Sequence, residues 1–192
     1  MNKKITILSA ILIVCLFRFY TALQTEFQLG GFSPLMALAF IGGWIWKDSR
    51  SVALLSFGAL FITDLALNSL HGYPGFHSFM ILTFVCYLIA FQIGLKVQPF
   101  STFHQLSALI GSSVGFYLIT NTFCWIGSTL YPQTAQGWVQ SWTLGLPGYP
   151  PAYTFLRNAL ISDLLFWGIL KFAFLCLPEK SFNKSDCISV SS

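Results

Sequence analysis

Charge is in short supply in this sequence. Lys, Arg, Asp and Glu together make up only 8% of the 192 residues, and just six residues are acidic. A soluble globular domain carries about 25% charged residues, which it needs to cover a surface that faces water. With 55% hydrophobic and 17% aromatic residues, the chain falls outside that class, and we predict that it lies in a membrane.

Several chemical signatures are also missing. The five cysteines form no CxxC pair and have no histidine at metal-ligand spacing, so no metal site is predicted. The sequence has no HExxH, no GxSxG and no glycine-rich phosphate loop. No run of basic residues occurs, so nucleic acid is not an expected partner. We therefore predict a protein that is not an enzyme, has no catalytic residues and holds no cofactor.

Long apolar stretches, separated by polar connections, fill most of the chain. At about 20 residues for each crossing of a bilayer, the length allows six spans. We place them near residues 5–21, 34–46, 51–68, 76–95, 104–127 and 155–177. The prediction is an all-α polytopic membrane protein, with a six-helix transmembrane domain over residues 1–177 and a flexible cytoplasmic tail over residues 178–192.

The basic residues predict an orientation. Six spans put both termini on one side of the membrane, and that side then holds eight of the ten Lys and Arg residues. The positive-inside rule makes this side cytoplasmic. The first apolar run has no good small-x-small cleavage site after it, which favours an uncleaved span over a signal peptide. We predict a multi-pass protein of the bacterial inner membrane with cytoplasmic N and C termini.

The fifth apolar segment carries small and polar residues at helical spacing. Ser107, Gly111 and Gly115 fall on one face, where they would let a neighbouring helix come close in lipid. The segment ends in polar and aromatic residues, among them Asn121 and Trp125, as is typical of a helix that leaves hydrocarbon for the interface. We predict a central helix whose outer end helps to line a site.

Two other segments have readable signals. Ser33 is predicted as the N-cap of the second helix with Pro34 at its first position, and Ala39 and Gly43 in that helix form a small-residue pair. Residues 127–154 form the longest connection, rich in proline and aromatic residues. Connections of this length are usually functional or disordered, and the aromatic content favours a packed cap.

Two acids and two arginines fall in the outer half of the predicted spans, where each costs about 2.5–3.5 kcal/mol unless it has a partner or a wet cavity. At about 1.5 Å per residue, Asp64 and Asp163 reach a similar depth in the outer half, and Arg18 and Arg157 belong to the same end. Either these groups line an outward-facing pocket for a solute, or acid–arginine pairs hold the helices together.

On the first interpretation, the binding site is built from polar groups at this depth and from aromatic walls beside them. Its predicted members are Asp64, Asn121, Trp125, Tyr131, Arg157 and Asp163.

Short motifs along most of the chain resemble a family of small six-helix bacterial membrane proteins of unknown function. They include Phe32-Ser33-Pro34, Thr63-Asp64, Thr120-Asn121 and Arg157-Asn158. That family is similar, more distantly, to the substrate-binding S-components of energy-coupling-factor vitamin transporters. The resemblance implies six helices, cytoplasmic termini, a solute site in the extracytoplasmic half and an energising transporter module as a partner.

The resulting hypothesis is an inner-membrane protein that binds and takes up a small polar or vitamin-like solute, with cobalamin-like solutes included. Its partners would be the lipid bilayer, the solute and the energising module. Two alternatives stay open. One is a non-transporting structural or accessory subunit that binds partner helices through Gly111/Gly115 and Ala39/Gly43. The other is a proton-coupled carrier that uses the two carboxylates.

Overall fold

A computed structural model describes residues 3–23, 31–45, 50–70, 72, 74 and 77–175. All regular elements in these ranges are helices: α1 (Lys3–Leu23), α2 (Leu35–Trp44), α3 (Arg50–Leu70), α4 (Ser78–Val97), α5 (Thr102–Gly127), α6 (Ala135–Trp142) and α7 (Ala152–Leu175). The all-α prediction is confirmed, and each predicted span has a corresponding helix. The predicted tail, residues 178–192, lies outside the described residues.

The helices differ in how well they suit a membrane. Among the residues that the structure describes, α4 and α5 are long and apolar enough to cross a bilayer. Shorter apolar stretches lie in α1 and α3, and α2 is itself one of these shorter helices. Six spans therefore stay a prediction.

Helix α2 forms the centre of the bundle. Every residue from Met36 to Ile45 is buried, and α4, α3, α7 and α5 all pack against this helix. A helix that is apolar all round is expected in an interior rather than at a surface. With 10 residues, α2 is only about 15 Å long, so longer neighbours surround it completely.

Two glycines bring α2 and α4 into backbone contact. A Cβ atom at Gly43 would overlap the carbonyl of Phe91 in α4, and a Cβ atom at Gly94 would overlap the carbonyl of Phe40 in α2. Close packing through small residues replaces the hydrophobic drive that is missing between helices in lipid. The small-residue pair predicted in the second helix, which includes Gly43, thus packs inside the chain.

The prediction that the fifth apolar segment is the central helix is wrong. Among the described residues, nothing lies within contact distance of a Cβ atom placed at Gly111 or Gly115. Helix α5 instead turns a neighbouring face inward, with Leu109, Ser113 and Tyr117 buried. The reason is that this face carries the larger side chains and the hydroxyls that the core uses, so the glycines are left facing outward.

Large apolar side chains cover the outside of the bundle. Each of the five long helices contributes one that is at least half exposed: Leu12, Ile62, Ile89, Ile126 and Phe172. Soluble proteins rarely expose contiguous apolar patches larger than a few hundred Å². The exposed apolar side chains are compatible with the predicted contact with lipid.

Helix α6 lies within the long connection and was not predicted from the sequence. Its N-cap is Thr134, whose hydroxyl accepts from the backbone N–H of Gly137 at 3.2 Å. Trp138 and Trp142 both donate their indole N–H to the hydroxyl of Thr122 in α5, at 3.0 and 3.1 Å. The connection is therefore packed onto the end of α5.

The glycine contact between α2 and α4 can be tested with alanine. We expect Gly43→Ala and Gly94→Ala to destabilise the protein by about 1–3 kcal/mol, the usual cost of overpacking, because backbone atoms stand where the methyl group would lie. Gly111→Ala is the matched control and should stabilise by up to about 1 kcal/mol, since a helical glycine is replaced in open space. Thermal unfolding in detergent measures all three. If all three substitutions changed the unfolding temperature in the same direction, the contact would be refuted.

Candidate functional site

A cavity of about 370 Å³ lies at the end of the bundle where α2, α4 and α7 begin and α5 ends. Its volume is at the small end of the range for ligand pockets, about 300–1,000 Å³. The wall is mainly apolar and aromatic, with Met36, Phe79, Phe116, Tyr117 and Phe155. Its polar members are Ser33, Ser113, Thr120, Asn121 and Asp163.

Asp163, on α7, is the buried acid of the cavity, with 2% of its surface exposed. One carboxylate oxygen accepts from the backbone N–H of Ala37 at 2.9 Å, and the other accepts from the hydroxyl of Ser113 at 2.7 Å. Ala37 lies in the first turn of α2, where N–H groups have no acceptor in their own helix. A negative charge there is also stabilised by the helix dipole. Asp163 therefore caps α2 from a different helix.

The N-cap predicted from the sequence for this helix is wrong. Pro34 occupies the N-cap position and makes no side-chain capping bond. The hydroxyl of Ser33 is buried and has no hydrogen-bond partner among the described residues. Ser33 precedes the cap position by one residue, so the first turn of α2 relies on the acceptor that α7 supplies.

The second buried acid, Asp64, belongs to a different cluster. Its carboxylate forms an ion pair with Arg18 between α1 and α3, and the two side chains are 12% and 9% exposed. The guanidinium of Arg18 also donates to the hydroxyl of Thr63 and to the carbonyl of Leu60. None of these residues is part of the cavity wall. For Asp64, the structure shows the helix-joining pair.

A buried tyrosine lies within electrostatic range of both acids. Tyr87, on α4, is fully buried and lies within electrostatic range of Asp64, Arg18 and Asp163. Its hydroxyl has no hydrogen-bond partner among the described residues. Tyr87 therefore belongs to the core of the bundle.

Of the predicted site residues, Asn121 and Asp163 line the same cavity, whereas Asp64 lies in the ion pair. The amide nitrogen of Asn121 donates to the carbonyl of Tyr117 at 2.8 Å, so its amide oxygen is not used in that bond. Two of the six predicted members are thus brought together at one site.

The other three predicted residues lie outside the cavity wall. Trp125, near the end of α5, donates its indole N–H to the carbonyl of Pro132 at 2.9 Å. Tyr131 lies in the connection after α5 and is half-buried. Arg157 is exposed, with its guanidinium 3.3 Å from the amide oxygen of Asn158. No pair between Arg157 and Asp163 forms, because residues six apart point about 120° away from each other around a helix.

Sequence reasoning missed several wall residues on α5. Ser113, Tyr117 and Cys124 lie on the same face as Asn121 and line the cavity with it. Their spacing of four and seven residues was the available signal, since it repeats along one helical face. The hydroxyl of Tyr117 also donates to the carbonyl of Trp142 at 2.7 Å, which ties the wall to the end of α6.

Comparison with known proteins yields one match. A family model described as a family of unknown function (DUF6580) matches residues 1–185. No curated protein and no solved structure matches the chain. The match fits the resemblance to a family of unknown function, whereas the similarity to S-components stays a prediction.

The capping role of Asp163 predicts a large loss of stability in Asp163→Ala. The variant leaves the N–H of Ala37 buried without its acceptor, and such groups cost about 1–3 kcal/mol. Ser162→Ala is the control, because this neighbouring hydroxyl is equally buried and has no partner among the described residues. Denaturant or thermal unfolding in detergent gives both values. An equal effect of the two substitutions would contradict the cap.

The ion pair predicts strong coupling between Arg18 and Asp64. Removing one partner of a buried pair costs about 3–5 kcal/mol, because the other charge is stranded, whereas replacing both by apolar residues is often close to neutral. We expect Arg18→Leu and Asp64→Leu each to destabilise strongly and the double variant to recover most of the loss. A double-mutant cycle from unfolding measurements checks this. Additive effects would show that the pair contributes no coupling.

Proposed function

We propose that this chain, which belongs to the family of unknown function DUF6580, is a multi-pass inner-membrane protein of S-component type. In this proposal it binds a small solute in the cavity and takes part in its uptake. The observation that carries the proposal is the cavity itself. It lies at one end of an apolar-surfaced bundle and has a buried carboxylate in its wall.

The lengths of the helices support membrane crossing. The five long helices have 20 to 26 residues, and 20 residues correspond to about 30 Å, the thickness of the hydrocarbon core. Exposed apolar side chains on all five supply the lipid-facing surface. Helix α2, enclosed by these helices, would complete the sixth pass together with the residues that flank it.

The direction of the helices supports the proposed orientation. Lys171, near the end of α7, donates to Thr102 and Gln105 at the start of α5, at 3.0 and 2.8 Å. Lys96 lies in the last turn of α4. These basic residues share the end of the bundle opposite the cavity, and the positive-inside rule assigns such an end to the cytoplasm. The cavity would then face the extracytoplasmic side.

The size of the cavity limits the size of the expected solute. A volume of about 370 Å³ suits a molecule at the small end of the range that ligand pockets hold. It favours a small vitamin-like molecule over the cobalamin-like solute that the resemblance also allowed, because a corrin with its tail is far larger. The energising module remains a partner that similarity to S-components implies.

One observation supports the alternative that the protein is an accessory subunit. Gly111 and Gly115 face outward with open space beside them among the described residues, so a partner helix could approach this face. Gly43, in contrast, is covered by α4. On this alternative, Gly115→Leu would release a co-purifying protein and leave solute binding unchanged.

Filling the cavity should abolish solute binding. A solute that binds the folded state at 100 times its Kd stabilises it by about 2.7 kcal/mol, which for a chain of this size raises Tm by roughly 5–10 °C. We expect a screen of vitamin-like solutes to give such a shift with the wild type and with Ile161→Phe, an exposed position on α7. Ala159→Phe, in the wall, should lose it. An unchanged shift in Ala159→Phe would place binding elsewhere.

A further inference from the structure

We infer that the cavity takes an uncharged or cationic solute that has a flat apolar part and at least one N–H or O–H donor, and that it excludes anions. The inference rests on the proposed function, because it assigns the chemical class of the solute to the same cavity. Three features of the wall support it: its charge, its hydrogen-bonding groups and its aromatic rings.

The wall of the cavity carries charge of one sign only. Asp163 is the only acidic or basic side chain, counting Lys, Arg and His as basic, among the described residues of the wall. Arg18 is held by Asp64 outside the cavity, Arg157 is exposed beside Asn158, and Lys171 lies at the opposite end of the bundle. A solute anion would therefore meet a carboxylate without a counter-ion, in an apolar surrounding where such repulsion is strong.

The N-terminus of α2, where an anion could bind, is already filled. The N-terminus of a helix binds anions because its free N–H groups and its dipole both favour negative charge. At α2, the carboxylate of Asp163 accepts from the backbone N–H groups of Ala37 and Met36. The protein thus provides its own anion at this position, and a carboxylate or phosphate of a solute would have to displace it.

Three of the four wall hydroxyls are committed as donors, whereas the fourth, that of Ser33, has no partner among the described residues. Ser113 donates to Asp163 at 2.7 Å, Thr120 to the carbonyl of Phe116 at 2.8 Å, and Tyr117 to the carbonyl of Trp142 at 2.7 Å. A hydroxyl has one proton to donate and two lone pairs. The lone pairs of these three hydroxyls can still accept hydrogen bonds from a solute, and so can the oxygens of Asp163. A solute that brings N–H or O–H donors therefore matches these three hydroxyls and the carboxylate.

The apolar part of the wall completes the solute class. Aromatic rings of Phe79, Phe116, Tyr117 and Phe155 line the cavity. Flat rings pack well against aromatic side chains in offset or edge-on arrangements, and aromatic faces attract cations. A ring that carries an amide or amidine group satisfies both the wall and its acceptors.

Three probes of nearly equal size and shape test the charge rule: benzamidine, benzamide and benzoate. They differ in charge, from cation to neutral donor to anion. We expect benzamidine to bind most tightly, benzamide more weakly, and benzoate at least tenfold more weakly than benzamide. Thermal unfolding of the purified protein in detergent, at millimolar concentrations of each probe, gives the order. Binding of benzoate as tightly as benzamide would overturn the inference.

Variants separate failure of the inference from failure of the proposed function. Ala159→Phe should remove the shift that benzamidine causes, and Ile161→Phe should keep it. If benzoate binds tightly and Ala159→Phe abolishes its binding, the cavity binds solutes and only the solute class is wrong. If none of the three probes and no solute of the screen shifts Tm, the proposed function fails together with the inference.

Discussion

The bond between the carboxylate of Asp163 and the N-terminus of α2 is the contact on which the rest of the structure depends. Helix α2 is buried over its whole length, and unpaired N–H groups at its start would lie in an apolar interior, which is costly. Asp163 brings the acceptor from α7, and Ser113 on α5 donates to its second oxygen. Three helices are joined at one buried point, and that point also belongs to the wall of the cavity.

The two buried acids are stabilised in different ways, and the difference separates their roles. Asp64 is neutralised by the full positive charge of Arg18, away from the cavity. Asp163 has no such counter-ion among the described residues and is held by a helix terminus and a hydroxyl. A helix end offers only about half a unit of positive charge, so more of the negative field of Asp163 remains to act on the cavity. The ion pair joins helices, and in the proposed function the capping acid would also meet the solute.

The sequence was sufficient for every described helix except α6, for the order of these helices and for the low exposure of the two acids, because apolar runs and the cost of a charge in an apolar environment are local properties. It was not sufficient for the partners. Gly43 and Gly111 look alike in the sequence, but only Gly43 faces another helix. Ser33 looks like a cap, whereas the acceptor comes from Asp163, more than a hundred residues away. Pairing across the bundle depends on packing that no single segment encodes.

The hydrogen bonds that satisfy the interior also limit what the proposed site could recognise. Inside an apolar bundle a hydroxyl without a partner is costly, so Ser113, Thr120 and Tyr117 give their protons to protein acceptors. Because their protons are used, these three hydroxyls can offer only their lone pairs to a solute. The capping carboxylate adds further acceptors and negative charge. In the proposed function, the selection of the solute would therefore have the same physical origin as the stability of the fold. In the proposed function, a cavity built in this way would favour solutes that bring donors.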